Sequence, residues 1–213
     1  MGALAVFDLD GTLVDQVSAV RTWAREFADD RGLDEAAVPG LVAALIARTP
    51  KDRVFAQIVD DHAGTEDPIE LWASYRRRMP ELVAPFAGVP RALTALRAAG
   101  WTLGIATNGM ADNQEGKIRR TGLDGLIDGW VVSSVAGVRK PDPRILHMLA
   151  DRLGCPLYGW MVGDGLESDI ACGVRAGMRT AWISEDSAAP ASARPDLIVP
   201  SVAAFADHVL GDV

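Results

Sequence analysis

Residues 5–15 read AVFDLDGTLVD, an apolar run that ends in Asp8 and is followed by Asp10, Gly11 and Thr12. In an extended segment residues i and i+2 point the same way, so the Asp8 and Asp10 carboxylates are expected to converge. Ionised carboxylates that close repel one another and push a pKa up. Something must neutralise them: a cation, a shared proton or nearby basic groups. Three later stretches also carry groups able to do chemistry. They are Thr107, Asn108 and Gly109, then Lys140 in RKPDP, then Asp164, Glu167 and Asp169 in GDGLESD.

Each of these stretches follows a short apolar run. The runs at 4–8, 102–107, 129–134, 160–164, 179–184 and 196–200 have the length and continuity of strands buried on both faces of a parallel sheet. Helical periods lie between them. Val89, Leu93 and Leu96 share one stripe before Gly100, and Ile145, Leu146, Leu149 and Leu153 share another before Gly154. This alternation predicts right-handed βαβ units and a doubly wound sheet. In such sheets ligands bind outside the carboxyl ends of the strands, where the four polar stretches fall.

One segment departs from the alternation. Between Asp15 and about Phe86 the periods are helical only, with stripes Val20/Trp23/Phe27, Val38/Leu41/Val42/Leu45, Val54/Phe55/Ile58/Val59 and Ile69/Trp72/Tyr75/Met79. Pro39, Pro50, Pro68 and Pro80 punctuate it. Four helices inserted after the first strand are expected to form a cap over the end of the sheet.

DLDGT at 8–12, TN at 107–108, KPDP at 140–143 and GDGLESD at 163–169, in this order, resemble the four motifs of the haloacid dehalogenase superfamily of hydrolases. The resemblance covers nearly the whole chain. It implies an α/β fold: a Rossmann-like, doubly wound parallel core formed by 1–14 and 87–213, with an inserted all-helical C1-type cap at 15–86. It also implies a Mg²⁺-dependent phosphatase that hydrolyses a small phosphorylated metabolite through an aspartyl-phosphate.

Residue by residue, Asp8 matches the family nucleophile, and covalent attack divides one difficult step into two. Asp10 matches the general acid and base, and its main-chain carbonyl matches a metal ligand. Asp164 matches the ligand that completes the Mg²⁺ site, an all-oxygen set suited to that ion. Thr107, the Asn108 backbone and Lys140 match the groups that hold phosphoryl oxygens, where positioning and charge dominate. Asp169 matches an outer acid that orients metal waters or Lys140. In members with this cap, a loop of the first cap helices often projects over the active site. By that resemblance Arg48, Thr49, Lys51 and Arg53 are expected to meet the non-phosphate part of the substrate.

Composition narrows the alternatives. The chain of 213 residues is 49% apolar with a net charge of −8, which suits a globular enzyme and argues against a nucleic-acid surface. Two cysteines make neither a disulfide framework nor a cysteine zinc site, and are expected to be buried thiols. The N-terminal apolar run is too short for a signal peptide, and no apolar window is long enough to span a membrane, so a cytoplasmic protein is expected, as monomer or homodimer. His62 follows Asp60 and Asp61 at a helix end and reads as an ordinary C-terminal residue. A sugar phosphomutase of the same family remains an alternative. So does a non-catalytic phospho-ligand-binding or receiver-like module, although a receiver carries no helical insertion and a decayed hydrolase should have lost motif residues. Dehalogenation, the founding activity, does without the second aspartate, so Asp10 and Asp164 count against it.

Overall fold

The computed structural model describes residues 2–47, 49–186, 189–190 and 194–211. After β1 (Leu4–Phe7) come the helices α1 (Gln16–Asp30), α2 (Val38–Ile46), α3 (Lys51–Ile58) and α4 (Pro68–Leu82). Alternation then begins with α5 (Val89–Ala98), β2 (Thr102–Thr107), α6 (Ala111–Arg120), β3 (Gly129–Val132), α7 (Ser133–Ala136) and α8 (Arg144–Leu153). It closes with β4 (Gly159–Gly163), α9 (Ala171–Arg175), β5 (Arg179–Ile183), β6 (Leu197–Val199) and α10 (Val202–Gly211). The chain forms two compact units, one of residues 1–14 and 85–213, the other of residues 15–84.

In the first unit the six strands lie in the order β3-β2-β1-β4-β5-β6, every neighbouring pair parallel. This is a doubly wound Rossmann-like sheet with β1 at its centre, and its order reverses beside β1. The pairing Leu4↔Thr102 and Leu4↔Gly159 sets the register, so β1, β2 and β4 end side by side. Helices cover both faces, which is why these strands read as unbroken apolar runs. The stripe of α8 packs with Leu4, Val6 and Met161 on one face of the sheet. Val14 pairs with Pro85, and the Phe86 amide donates to the Leu13 carbonyl at 3.0 Å, tying the return of the chain into this unit. Cys172 is buried, Cys155 is half-buried, and both are free thiols. Burial pushes the Cys172 thiol up to about 12, which keeps it protonated.

The second unit is helical. Asp15 caps α1 by accepting from the Ser18 amide at 2.9 Å, and Asp67 caps α4 by accepting from Ile69 at 2.9 Å. Its core is aromatic. Trp23 stacks on Phe27 at 5.0 Å and meets the Tyr75 ring edge-on at 5.1 Å, while Phe55 lies 5.2 Å from Tyr75. Two features of α4 differ from the expected pattern. Its inward stripe is Leu71, Tyr75 and Met79, whereas Ile69 is 71% exposed and Trp72 only half-buried. The helix starts at Pro68, so Ile69 sits in the first turn, off the buried face. Pro80 does not end the helix either; it is buried within the last turn, which runs to Leu82. Among the described residues no helix is long and apolar enough to cross a membrane.

Candidate active site

The carboxyl ends of β1, β2 and β4 bring the polar stretches together within the first unit. β1 stops at Phe7, and Asp8 continues the ladder for one more bond, its amide donating to Val162 at 2.9 Å. The chain then turns tightly. The amides of Leu13 and Val14 both donate to the Leu9 carbonyl, at 2.9 and 3.0 Å. Gly11 has φ +82°, a conformation that favours glycine. A Cβ there would stand 2.6 Å from Oδ2 of Asp164, so the glycine also lets this turn approach the end of β4.

Asp164 follows β4 directly. Its amide donates to the Thr12 hydroxyl at 3.1 Å, and its carbonyl accepts from the Trp182 indole at 2.9 Å. The peptide is thus held from β5 and from the first turn, while the carboxylate stays exposed. Asp169 comes from a π-helical turn, Leu166–Ile170, and its Oδ2 accepts from the Gly165 amide at 2.8 Å. Gly163 allows this, because a Cβ there would lie 2.4 Å from the same oxygen. Glu167, on the same turn, is exposed.

Lys140 enters between two of these acids. Its ammonium lies 2.6 Å from Asp8 Oδ1 and 2.8 Å from Asp169 Oδ1, and the residue is 3% exposed. The loop that delivers it is stapled to the end of β2. The Asn108 side chain donates to the Lys140 carbonyl at 3.0 Å and accepts from the Lys140 amide at 2.9 Å. Burial pushes the Asp8 carboxyl up to about 8; Lys140 pulls it down, and the charges of Asp169 and Asp164 add to the rise. Burial also opposes the charge on Lys140, but Asp169 and Asp8 outweigh it and hold the ammonium above the ordinary lysine range.

Carboxylate oxygens of Asp8, Asp164 and Asp169 lie within 4.8 Å of one another. Three acids against one lysine leave negative charge in excess, and the donors are all oxygen. That donor set fits a hard divalent cation such as Mg²⁺. The Asp10 carboxylate is not part of this cluster.

Asp10 has turned toward α6 instead. Both its oxygens accept from Lys117, at 2.7 and 2.9 Å, and Oδ2 also accepts from Gln114 at 3.0 Å. Gln114 donates as well to the Thr107 hydroxyl, at 2.7 Å. The two early carboxylates do not share one neutralising partner: Lys140 serves Asp8 and Lys117 serves Asp10. They part because the chain turns after Asp8, where a continued strand would have kept them on one face.

Lys117 and Gln114 did not emerge from the sequence. The signal was present as a helix too polar to pack, ADNQEGKIRR, whose inward residues prove to be Gln114, Lys117 and Ile118. Ser133, whose hydroxyl accepts from the Gly109 amide at 3.0 Å, was also missed.

The expected specificity residues belong to the second unit. Arg48 lies outside the described residues. Thr49 and Arg53 line a groove of about 450 Å³ between α2 and α3, together with Leu41, Gln57 and His62. Lys51 is turned back on α2, its ammonium donating to the carbonyls of Leu45 and, at 3.1 Å, of Ala47.

Residues 5–183 match the family of haloacid dehalogenase-like hydrolases. The chain is 29% identical over 193 residues to a glyceraldehyde 3-phosphate phosphatase of Methanothermobacter thermautotrophicus, covering 84% of each chain. It is 35% identical over 120 residues to the pyrimidine 5'-nucleotidase YjjG of Escherichia coli. That match takes in 55% of this chain and spans about half of the relative, 53% of its length. Its fold is shared with a HAD phosphatase from Thermococcus onnurineus, with a TM-score of 0.69 at 24% identity over 99% of this chain and 98% of that one.

Proposed function

The chain belongs to the haloacid dehalogenase-like hydrolases, and from that membership we propose that it is a Mg²⁺-dependent phosphatase of small phosphorylated metabolites, working through an aspartyl-phosphate on Asp8. Residues 1–14 and 87–213 are assigned as the catalytic core domain and 15–86 as its helical cap. The observation that carries the reading is the Lys140 ammonium bridging Asp8 and Asp169, with Asp164 completing a three-carboxylate cluster.

Asp8 and Asp164, with the main-chain carbonyl of Asp10, are the proposed ligands of Mg²⁺, and Asp169 orients Lys140 beside them. The ion, when bound, offsets the carboxylate charge and polarises the phosphoryl group. An Asp8 carboxylate oxygen attacks phosphorus, and the bond from phosphorus to the ester oxygen breaks. Asp10 gives its proton to the departing alkoxide. Water then attacks the phosphorus of the aspartyl-phosphate, Asp10 takes the proton, and phosphate leaves with the Asp8 carboxylate restored. Lys140 favours the ionised form of Asp8 and binds a phosphoryl oxygen as charge develops. The Thr107 hydroxyl accepts from Gln114, which leaves its own proton to donate to a phosphoryl oxygen. Arg48, Thr49, Lys51 and Arg53 are the proposed contacts to the rest of the substrate. The names of these relatives, a 5'-nucleotidase and a phosphatase, agree with this class of reaction.

The test is release of inorganic phosphate from a panel of phosphate esters, with Mg²⁺ and with EDTA. Turnover should require the ion, and a sugar phosphate isomerised without phosphate release would point to mutase chemistry instead. Asp8→Asn should abolish turnover and leave the circular dichroism spectrum unchanged. Phosphate release by that variant at the unsubstituted rate would remove Asp8 as nucleophile.

A further inference from the structure

The arrangement on α6 asks for an explanation that packing does not supply. Gln114 and Lys117 are each 1% exposed, on a helix whose Asp112, Arg119 and Arg120 are exposed. Taking an ammonium out of water costs several kcal/mol, and a buried ion pair is often no more stabilising than apolar residues of the same volume. The Asp10 side chain is 22% exposed and keeps part of its contact with water. Lys117, almost fully buried, bears the larger share of the cost.

What the arrangement achieves is orientation. A carboxylate offers about four lone-pair directions. Lys117 takes one on each Asp10 oxygen, and Gln114 takes a second on Oδ2. Among the described residues one direction remains, on Oδ1, and these bonds fix the rotation of the carboxylate. The Gln114 amide nitrogen has two protons, and both are committed, one to Asp10 and one to the Thr107 hydroxyl. Thr107, Gln114, Asp10 and Lys117 therefore form one hydrogen-bonded chain. It runs from a proposed phosphoryl-holding hydroxyl to the proposed acid.

We infer that Lys117 and Gln114 are positioning residues of the reaction, a clamp that fixes the Asp10 carboxyl relative to Thr107 so that one lone pair of Oδ1 faces the transferring group. The inference rests on the reading of Asp8 and Asp10 above. The clamp serves proton transfer and makes no contribution to metal binding.

The experiment compares Lys117→Met, Lys117→Arg, Gln114→Leu and Asp10→Asn with the unsubstituted protein, each at saturating Mg²⁺. Two probes are used, p-nitrophenyl phosphate, whose leaving group needs little protonation, and glycerol 2-phosphate, whose alkoxide needs it. Because kcat/KM reports steps up to phosphorylation of Asp8, a misplaced acid should lower it selectively. Acid–base catalysis is worth about 10²–10⁴-fold, so Lys117→Met should lower kcat/KM for glycerol 2-phosphate by tenfold or more and for p-nitrophenyl phosphate by much less. The phosphoenzyme trapped by acid quench should accumulate, because the same carboxyl serves its hydrolysis. Lys117→Arg should recover part of the loss, and the Mg²⁺ concentration for half-maximal activity should not move.

Equal losses on both probes, or none, would overturn the clamp. If Lys117→Met fails to fold, Gln114→Leu carries the same comparison and decides it. Asp10→Asn separates the two levels: full turnover by that variant refutes the role given to Asp10 itself, whereas an inactive Asp10→Asn beside an unaffected Lys117→Met refutes only the clamp.

Discussion

Replacing Lys140 with methionine tests the electrostatics of the centre in a way that activity alone does not. The ammonium stands 2.6 Å from Asp8 and 2.8 Å from Asp169, and the lysine and Asp169 side chains are each 1% exposed. Methionine fills similar volume but leaves two buried acids facing one another. Breaking a buried pair from one side costs about 3–5 kcal/mol. For a chain of this size each kcal/mol moves the melting temperature by about 2–4 °C, so the metal-free variant should melt roughly 6–20 °C lower. The deficit depends on pH. Burial raises the Asp8 carboxyl from its ordinary 3.8 to about 8. Between those values the folded protein holds a proton that the unfolded chain has released, so stability falls as pH rises through that window. Lys140 pulls Asp8 down, and its loss pushes the carboxyl further up. The gap between variant and parent should therefore hold steady from pH 5 to about 7, where both folded proteins keep that proton, and widen as pH rises past 8, where only the variant keeps it; Mg²⁺ should recover part of it at pH 8. Melting in EDTA at pH 6, 8 and 9.5, then with Mg²⁺, is the assay. A variant within about 2 °C of the parent at pH 8, less than a single kcal/mol would produce, refutes the buried-pair argument. A deficit no wider at pH 9.5 than at pH 6 does so too.

Gly11→Ala places a side chain at φ +82°, with its Cβ 2.6 Å from Asp164 Oδ2. The conformation alone costs about 1–2 kcal/mol. Thermal melting should register that cost, and a displaced Asp164 should raise the Mg²⁺ concentration needed for half-maximal activity; an unchanged Mg²⁺ requirement would show that the turn does not set Asp164. Trp182→Phe removes the indole donor 2.9 Å from the Asp164 carbonyl, a bond worth about 1 kcal/mol. Urea unfolding should show that loss and a Mg²⁺ titration should shift in the same sense as for Gly11→Ala, whereas a loss of stability with no shift in Mg²⁺ dependence would make the indole a packing group only.

The parts of the centre legible in the sequence share one property: each sits at the end of an element whose period announces it. Asp8, Thr107 and Asp164 follow apolar runs, and the register Leu4↔Thr102 and Leu4↔Gly159 makes those runs end together. Local pattern therefore carried Asp8 and Asp164 into one cluster across more than half of the chain. The clamp on Asp10 lacked such a marker. Its bonds join residues 104 and 107 positions apart, and a helix rich in Lys, Arg, Glu and Asn looks solvated on every side. Whether a lysine on such a helix is buried depends on finding an acid there, and the acid's direction depended on the turn after Asp8. A strand continued through Asp10 would have kept both carboxylates beside Lys140. The turn at Gly11 separates them and gives each its own cation. Two carboxylates so close in sequence can then hold different protonation tasks, because the one attacking phosphorus must stay ionised while its neighbour gains and loses a proton. Separate lysines reached by separate loops are a direct physical means to that end.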